Sequence, residues 1–164
     1  MLLIYRVPRE PSTPRIAIWR RLRALGVAQL ADGTVALPED ARTREHLEWV
    51  ADQVLDAGGT ALLLRAQAFT VKDERAVAHA MAVARAEEYQ EVIASAAQAR
   101  DVGDDAERRR VVARLRKQLR VIQRRDYFPP PDRDGAVAAL ADLARDTTAE
   151  QPRTSTEQTS RSQS

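Results

Sequence analysis

The 164 residues give room for one domain with a real core, extended by helices, and 26 Lys+Arg against 24 Asp+Glu leave a net charge of only +2, so the placement of charge matters more than its sum. With no cysteine, disulfides, zinc–thiolate sites and thiol chemistry are excluded. The apolar start, Met1 to Tyr5, is too short for a signal peptide or a membrane span, which points to a soluble cytoplasmic protein with no membrane partner.

Residues 2–7 read as a short apolar strand, broken by Pro8, Pro11 and Pro14 because proline cannot donate to a sheet ladder. A helix follows. Thr13 is its expected cap, and Pro14 suits the first helical position, where a missing N–H costs nothing. Ile18, Trp19, Leu22 and Leu25 share one face, and Gly26 is a natural stop. Two strands, 27–30 and 34–37, are joined by Ala31-Asp32-Gly33; Asp-Gly between apolar runs is a hairpin signal. A second helix, 41–57, is capped by Asp40 and buries Leu47, Val50, Val54 and Leu55 before Gly58-Gly59 ends it. Trp19 and Trp49, one on each helix, read as core anchors over the sheet. The leucine-rich run 60–68 reads as a strand buried on both faces. Strand, helix, strand, strand, helix, strand is the split βαβ order. Residues 1–70 are therefore expected to form a ferredoxin-like βαββαβ domain within an α+β fold.

Thr70 to Asp73 resembles a capping box, with Asp in place of the usual Glu or Gln. A long helix, 71–99, carries Val77, Met81, Ala84, Val92 and Ile93 on its apolar side. After a turn containing Gly103, a helix over 106–125 places Val112, Leu115, Leu119 and Ile122 at spacings of three, four and three, a coiled-coil-like seam. The two helices are expected to form an antiparallel hairpin standing off the sheet. Tyr127-Phe128-Pro129-Pro130-Pro131 is a rigid connector to a short amphipathic helix bearing Val137, Leu140 and Leu143, which completes a unit over 71–146. Residues 147–164 contain no Leu, Ile, Val, Phe, Tyr or Trp and are expected to form a disordered tail.

Between Glu107 and Asp126 lie nine basic residues: Arg108, Arg109, Arg110, Arg114, Arg116, Lys117, Arg120, Arg124 and Arg125. Arginine forks match phosphate geometry, and a strongly basic helix in a near-neutral chain suggests contact with a duplex backbone. Arg20, Arg21 and Arg23 form a second patch. The competing reading pairs these arginines with Glu87, Glu88 and Glu91 on the preceding helix, or with a partner chain. A further candidate is an oxyanion or phosphate site formed by Arg6, Arg9, Ser12 and Arg15 at a strand end, a loop and a helix N-terminus, where unpaired N–H groups and the macrodipole favour anions. The same arginines serve equally as solvated loop charges or as partners of Glu10. No HExxH, GxSxG, P-loop or GxGxxG pattern occurs, so no metal, cofactor or catalytic set is expected. His46 and His79 lie on different helices, and Ser12 and Thr13 have no base beside them.

The run from Ile4 to Arg15, reading Ile-Tyr-Arg-Val-Pro-Arg-Glu-Pro-Ser-Thr-Pro-Arg, followed by Trp19-Arg20-Arg21-Leu22, resembles the N-terminal domain of the chromate-resistance protein family ChrB. So does Val35-Ala36-Leu37-Pro38, with Arg42, Glu45, Leu47, Glu48 and Trp49 behind it. The resemblance covers about residues 1–145. It implies a DNA-binding, chromate-responsive regulator of chromate-resistance operons, whose full-length members carry a further C-terminal domain. The domain is also similar to the middle part of the repressor PaaX and to small CRISPR-associated nucleases of ferredoxin-like fold. Those nucleases place an acidic residue where this chain has Arg6-Val7-Pro8-Arg9, which argues against nuclease activity. The expectation is a non-enzymatic, double-stranded-DNA-binding homodimer without a cofactor. An oxyanion sensor for chromate or sulfate, and a protein-interaction module, are the alternatives.

Overall fold

The computed structural model describes residues 1–149. Its elements run β1 (Leu2–Arg6), α1 (Ser12–Leu25), β2 (Ala28–Ala31), β3 (Thr34–Ala36), α2 (Ala41–Asp56), β4 (Thr60–Leu64), α3 (Val71–Arg100), α4 (Asp105–Arg124) and α5 (Asp132–Ala149). The fold is α+β, with the helices mostly after the strands. The sheet order is β2-β3-β1-β4 and every pairing is antiparallel, the arrangement that the split βαβ element order demands. Gly33 takes φ 68° in the β2–β3 turn, where an added Cβ would stand 2.3 Å from the Tyr5 carbonyl oxygen. A side chain is thus excluded from the turn both by conformation and by space.

Leu3 and Val35 are directly paired and fully buried, and with Ile18, Leu22, Leu47, Val50 and Val54 they make the core between the sheet and α1–α2. The opposite sheet face carries Leu2, Ile4, Leu62 and Leu64, neighbours by register. Here the expectation of a doubly buried last strand fails. β4 stops at Leu64, sits at the sheet edge, and leaves Leu62 53% exposed. A continuous apolar run cannot distinguish two covered faces from one.

Two helix starts resolve differently. α1 begins at Ser12 with Pro11 at its N-cap and no side-chain cap, so Thr13 is not the cap and Pro14 is the third helical residue, still within the turn that needs no N–H. α2 is capped as expected. The Asp40 carboxylate accepts from the Thr43 N–H at 2.7 Å, and the Thr43 hydroxyl bonds back to the Asp40 N–H at 3.0 Å. That N–H contact is the main reason the Asp40 carboxyl is held below its usual pKa of 3.8. A depressed carboxylate adds stability above its unfolded pKa and loses it as pH falls through the folded one. Asp40→Ala is therefore expected to cost about 1 kcal/mol in urea denaturation at neutral pH, and the gap from the parent should close on acidification below pH 3.8. Leu55, expected in the α2 core, is exposed.

In the second half α3 and α4 form the expected hairpin, and α5, longer than expected, packs against both to complete a three-helix bundle. Tyr89, Val92, Ala96 and Ala99 of α3, Val112, Leu115, Leu119 and Ile122 of α4, and Ala136, Leu140 and Leu143 of α5 form one core. The α4 seam is buried as its spacing predicts. On α5, Leu140 and Leu143 are buried while Val137 is exposed. α5 also runs to Ala149, beyond the expected boundary at 146, and buried Thr147 donates its hydroxyl to the Leu143 carbonyl at 2.7 Å. The rest of the expected tail, 150–164, lies outside the described residues.

The bundle does not stand off the sheet domain. Val77, Met81 and Tyr127 pack against the sheet core, and the Tyr127 hydroxyl donates to the Leu25 carbonyl at 3.2 Å. Beside it lies a half-buried ionic joint. Arg85 and Arg125 both donate to Glu88 Oε1, at 3.1 and 2.9 Å, and Arg125 Nη1 donates to the Arg23 carbonyl at 2.9 Å. Gly26, at φ 71°, seats this joint, since a Cβ there would meet Arg125 Cβ and Arg85 Nη1 at 2.9 Å each. Fully buried Tyr89 donates its hydroxyl to Asp126 at 2.7 Å.

Burial pushes the phenols of Tyr5, Tyr89 and Tyr127 above their usual 10.0. The folded state thus holds these protons more tightly than the unfolded chain does. Their contribution is complete below pH 10.0 and disappears as pH rises through the folded values. Stability is expected to drop above that pH, with phenolate absorbance appearing together with unfolding rather than before it.

Candidate nucleic-acid interface

α4 is built to be a polar-backed helix. Arg, Lys, Gln, Leu and Ala are good helix formers. Asp104 caps the start by accepting from the Ala106 N–H at 2.9 Å, and Asp105 and Glu107 in the first turn and Arg124 in the last oppose the macrodipole. The apolar seam fixes which side faces the bundle, and therefore which side carries the cations.

The structure divides the nine basic residues. Arg108 leaves the accessible set: it is buried, donates to the Val102 carbonyl at 2.7 Å and lies 3.3 Å from Asp105. Its place at the first position of the buried seam made this legible, since it stands four residues before Val112. Arg125 belongs to the joint with Glu88, where burial lowers its pKa. Arg109, Arg110, Arg114, Arg116, Lys117, Arg120 and Arg124 are all exposed, and none forms an ion pair among the described residues. Pairing with α3 is thus confined to Glu88 and Arg125; Glu87 and Glu91 hold no arginine.

The cations form two flanks. Arg114 and Lys117 border a cleft of about 370 Å³ with Glu88 and Glu91 across it. The carboxylates there weaken the local positive field. Arg109, Arg116 and Arg120, at i, i+7 and i+11, share the other flank, where no carboxylate of the described residues pairs with them. At 1.5 Å per residue they span about 16 Å.

On α1, Arg20 and Arg23 are exposed and Arg21 is half-buried. Two of the three are stacked on rings, Arg23 with its guanidinium carbon 4.9 Å from the Trp19 centroid and Arg21 at 5.7 Å from Trp49. Those tryptophans are not core anchors. Trp19 is 51% and Trp49 57% exposed, because Ile18, Leu22, Leu47 and Val50 already fill the space over the sheet. Arg6, Arg9 and Arg15 lie at the end of β1, in the following loop and in the first turn of α1; all are exposed and form no ion pair among the described residues, and Ser12 is half-buried. The first turn of α1 contains no acidic residue.

The competing reading named Glu88 as a partner for the arginines of the basic run, and Arg125 takes it; sequence reasoning missed that Arg85 and Tyr89 are part of this joint. Its signal was present: Met81, Arg85, Tyr89, Val92, Ala96 and Ala99 form one buried stripe of α3, with an arginine at a core position. Among the described residues no cluster of three or more His, Cys, Asp or Glu is placed to hold a metal, and no helix is long and apolar enough to cross a membrane.

Protein ChrB of Cupriavidus metallidurans is 30% identical to this chain over 132 residues, which is 79% of this chain and 40% of that protein. The chain thus spans well under half the length of that relative. No solved structure matches it. The family model described as "Protein ChrB, N-terminal" matches residues 15–154, a span that runs from within α1 through α5 and leaves β1 and most of the opening run ahead of it. The likeness therefore rests on both halves of the fold, and by it this chain belongs to the ChrB N-terminal family.

Proposed function

We propose that this protein is a cytoplasmic, non-enzymatic regulator of chromate resistance that binds duplex DNA as a homodimer, with α4 lying against the phosphate backbone. Membership in the ChrB family supports the link to chromate resistance. The single observation that carries the DNA reading is the set of seven exposed cations along α4, Arg109, Arg110, Arg114, Arg116, Lys117, Arg120 and Arg124, which form no ion pair among the described residues. α4 has no exposed aromatic residue on which an unpaired base would stack, so the duplex is favoured over single strands. Repression would follow from occlusion of a promoter. The test is fluorescence anisotropy on the intergenic DNA upstream of the gene over a range of salt. Affinity should fall steeply with salt, as released counterions require. Absence of binding, or binding indifferent to salt, overturns the reading, as does a stable complex of α4 with an acidic protein that excludes DNA.

A second reading is favoured by the first turn of α1. It has no acidic residue and no side-chain cap, and Arg6, Arg9 and Arg15 around it form no ion pair among the described residues. A tetrahedral dianion, chromate or sulfate, would be held there by guanidinium and N–H groups, with Ser12 at the helix start. Calorimetric titration with chromate, and with sulfate as competitor, separates the two; a flat titration on folded protein removes this one.

A further inference from the structure

α1 and α2 lie side by side over one face of the sheet, and their outward sides carry opposite charge. On α1, Ile16, Trp19, Arg20 and Arg23 recur at helical spacing and all are exposed. On α2 the corresponding exposed residues are Glu45, Trp49, Asp52 and Asp56, with Arg42 at the helix start engaged at 6.0 Å from the Tyr127 ring. These charges do not meet within the protomer. Among the described residues, Arg20 and Arg23 pair with no carboxylate, and Glu45, Asp52 and Asp56 with no cation; only Glu48 is engaged, by Arg44 at 2.8 Å. Both tryptophans leave more than half their area in water, each braced by an arginine of α1. Exposed tryptophan and arginine together are the residue types that dominate interface energies.

A basic-aromatic helix beside an acidic-aromatic one is self-complementary under a two-fold axis. Each α1 then faces the partner's α2, and both charge matches form at once. Nucleic acid would be repelled by Glu45, Asp52 and Asp56. Residues 150–164 of this chain contain no Leu, Ile, Val, Phe, Tyr or Trp to lay against the rings. A second copy supplies both halves of the complement.

We propose that the outer face of α1 and α2 is the surface on which a second copy of this chain docks, α1 of each protomer on α2 of the other. This names the interface of the dimer put forward above and rests on that reading for the dimer alone, not for DNA. It also assigns Arg20 and Arg23 to the partner rather than to phosphate.

The test is sedimentation velocity on the full chain and two charge-reversed forms, R20E/R23E and E45R/D52R. Each variant alone places like charges across both contacts and should dimerise at least ~10-fold more weakly than the parent. Mixed in equal amounts, the two restore both contacts and should form a heterodimer. Circular dichroism reports folding, and the single variant D52R serves if a double variant fails to fold. A parent that stays monomeric through the micromolar range overturns the proposal. So do variants that dimerise like the parent, or a mixture that stays monomeric. A dimer that ignores DNA overturns only the DNA reading, and a monomer that binds DNA overturns this proposal and the dimer put forward above while leaving DNA binding standing.

Discussion

R116E/R120E is expected to weaken binding to duplex DNA at least ~100-fold at low salt, and to do so alike for all sequences. These two positions lie on the flank of α4 where no carboxylate of the described residues pairs with a cation, so reversal removes two attractive charges and adds two repulsive ones without releasing any internal partner among them. The slope of log affinity against log salt should fall by about 2, one for each lost phosphate contact. Both side chains are exposed and on the polar side of α4, so stability should change by no more than about 0.5 kcal/mol each, measured by thermal melting. Equal weakening from E91R, which adds positive charge beside the cleft, would contradict the electrostatic account.

The largest effect on stability is expected at the joint between the two halves. Glu88→Gln removes the carboxylate shared by Arg85 and Arg125, whose side chains are 11% and 19% exposed, and leaves two guanidinium groups facing each other without a counter-charge. Breaking a buried pair on one side costs about 3 kcal/mol or more, because the remaining charge is still desolvated. Urea denaturation should show this as a lowered midpoint. Replacing the whole group with apolar residues of similar size should cost far less, because the desolvated charges then disappear together. The cost follows from location. The same Glu–Arg contact between Arg44 and Glu48 lies on the surface, where water solvates each partner whether or not they meet.

The joint also bears on function. Arg125 follows the last residue of α4 and bonds to the last turn of α1 through the Arg23 carbonyl. The proposed DNA-facing helix and the proposed dimer-facing helix are thereby tied at one point. A dimer formed through α1 and α2 would set the spacing between two copies of α4, which is the quantity that half-site spacing on DNA reads out.

What the sequence determined by itself was mostly local, although the local expectation of a Thr13 cap did not hold. The Asp40 cap, the Asp-Gly turn, the Gly26 stop and the seam of Val112, Leu115, Leu119 and Ile122 all depend on residues within a few positions of one another, and each stands where its spacing puts it. The element order alone carried the α+β fold, and the gathering of cations on α4 needed only counting. Tertiary structure decided which faces are covered. Trp19 and Trp49 carry the most apolar surface on their helices, but the space over the sheet belongs to smaller residues one turn away, and no one-dimensional pattern reports that volume. The leucine run of β4 reads the same with one face covered or two. Arg85 and Arg108 stand at seam positions, so their burial was legible in the spacing, whereas Arg125 looks like its exposed neighbours. What the letters do not give is the partner that makes burial of a charge tolerable: Glu88 for Arg85 and Arg125, and the Val102 carbonyl for Arg108.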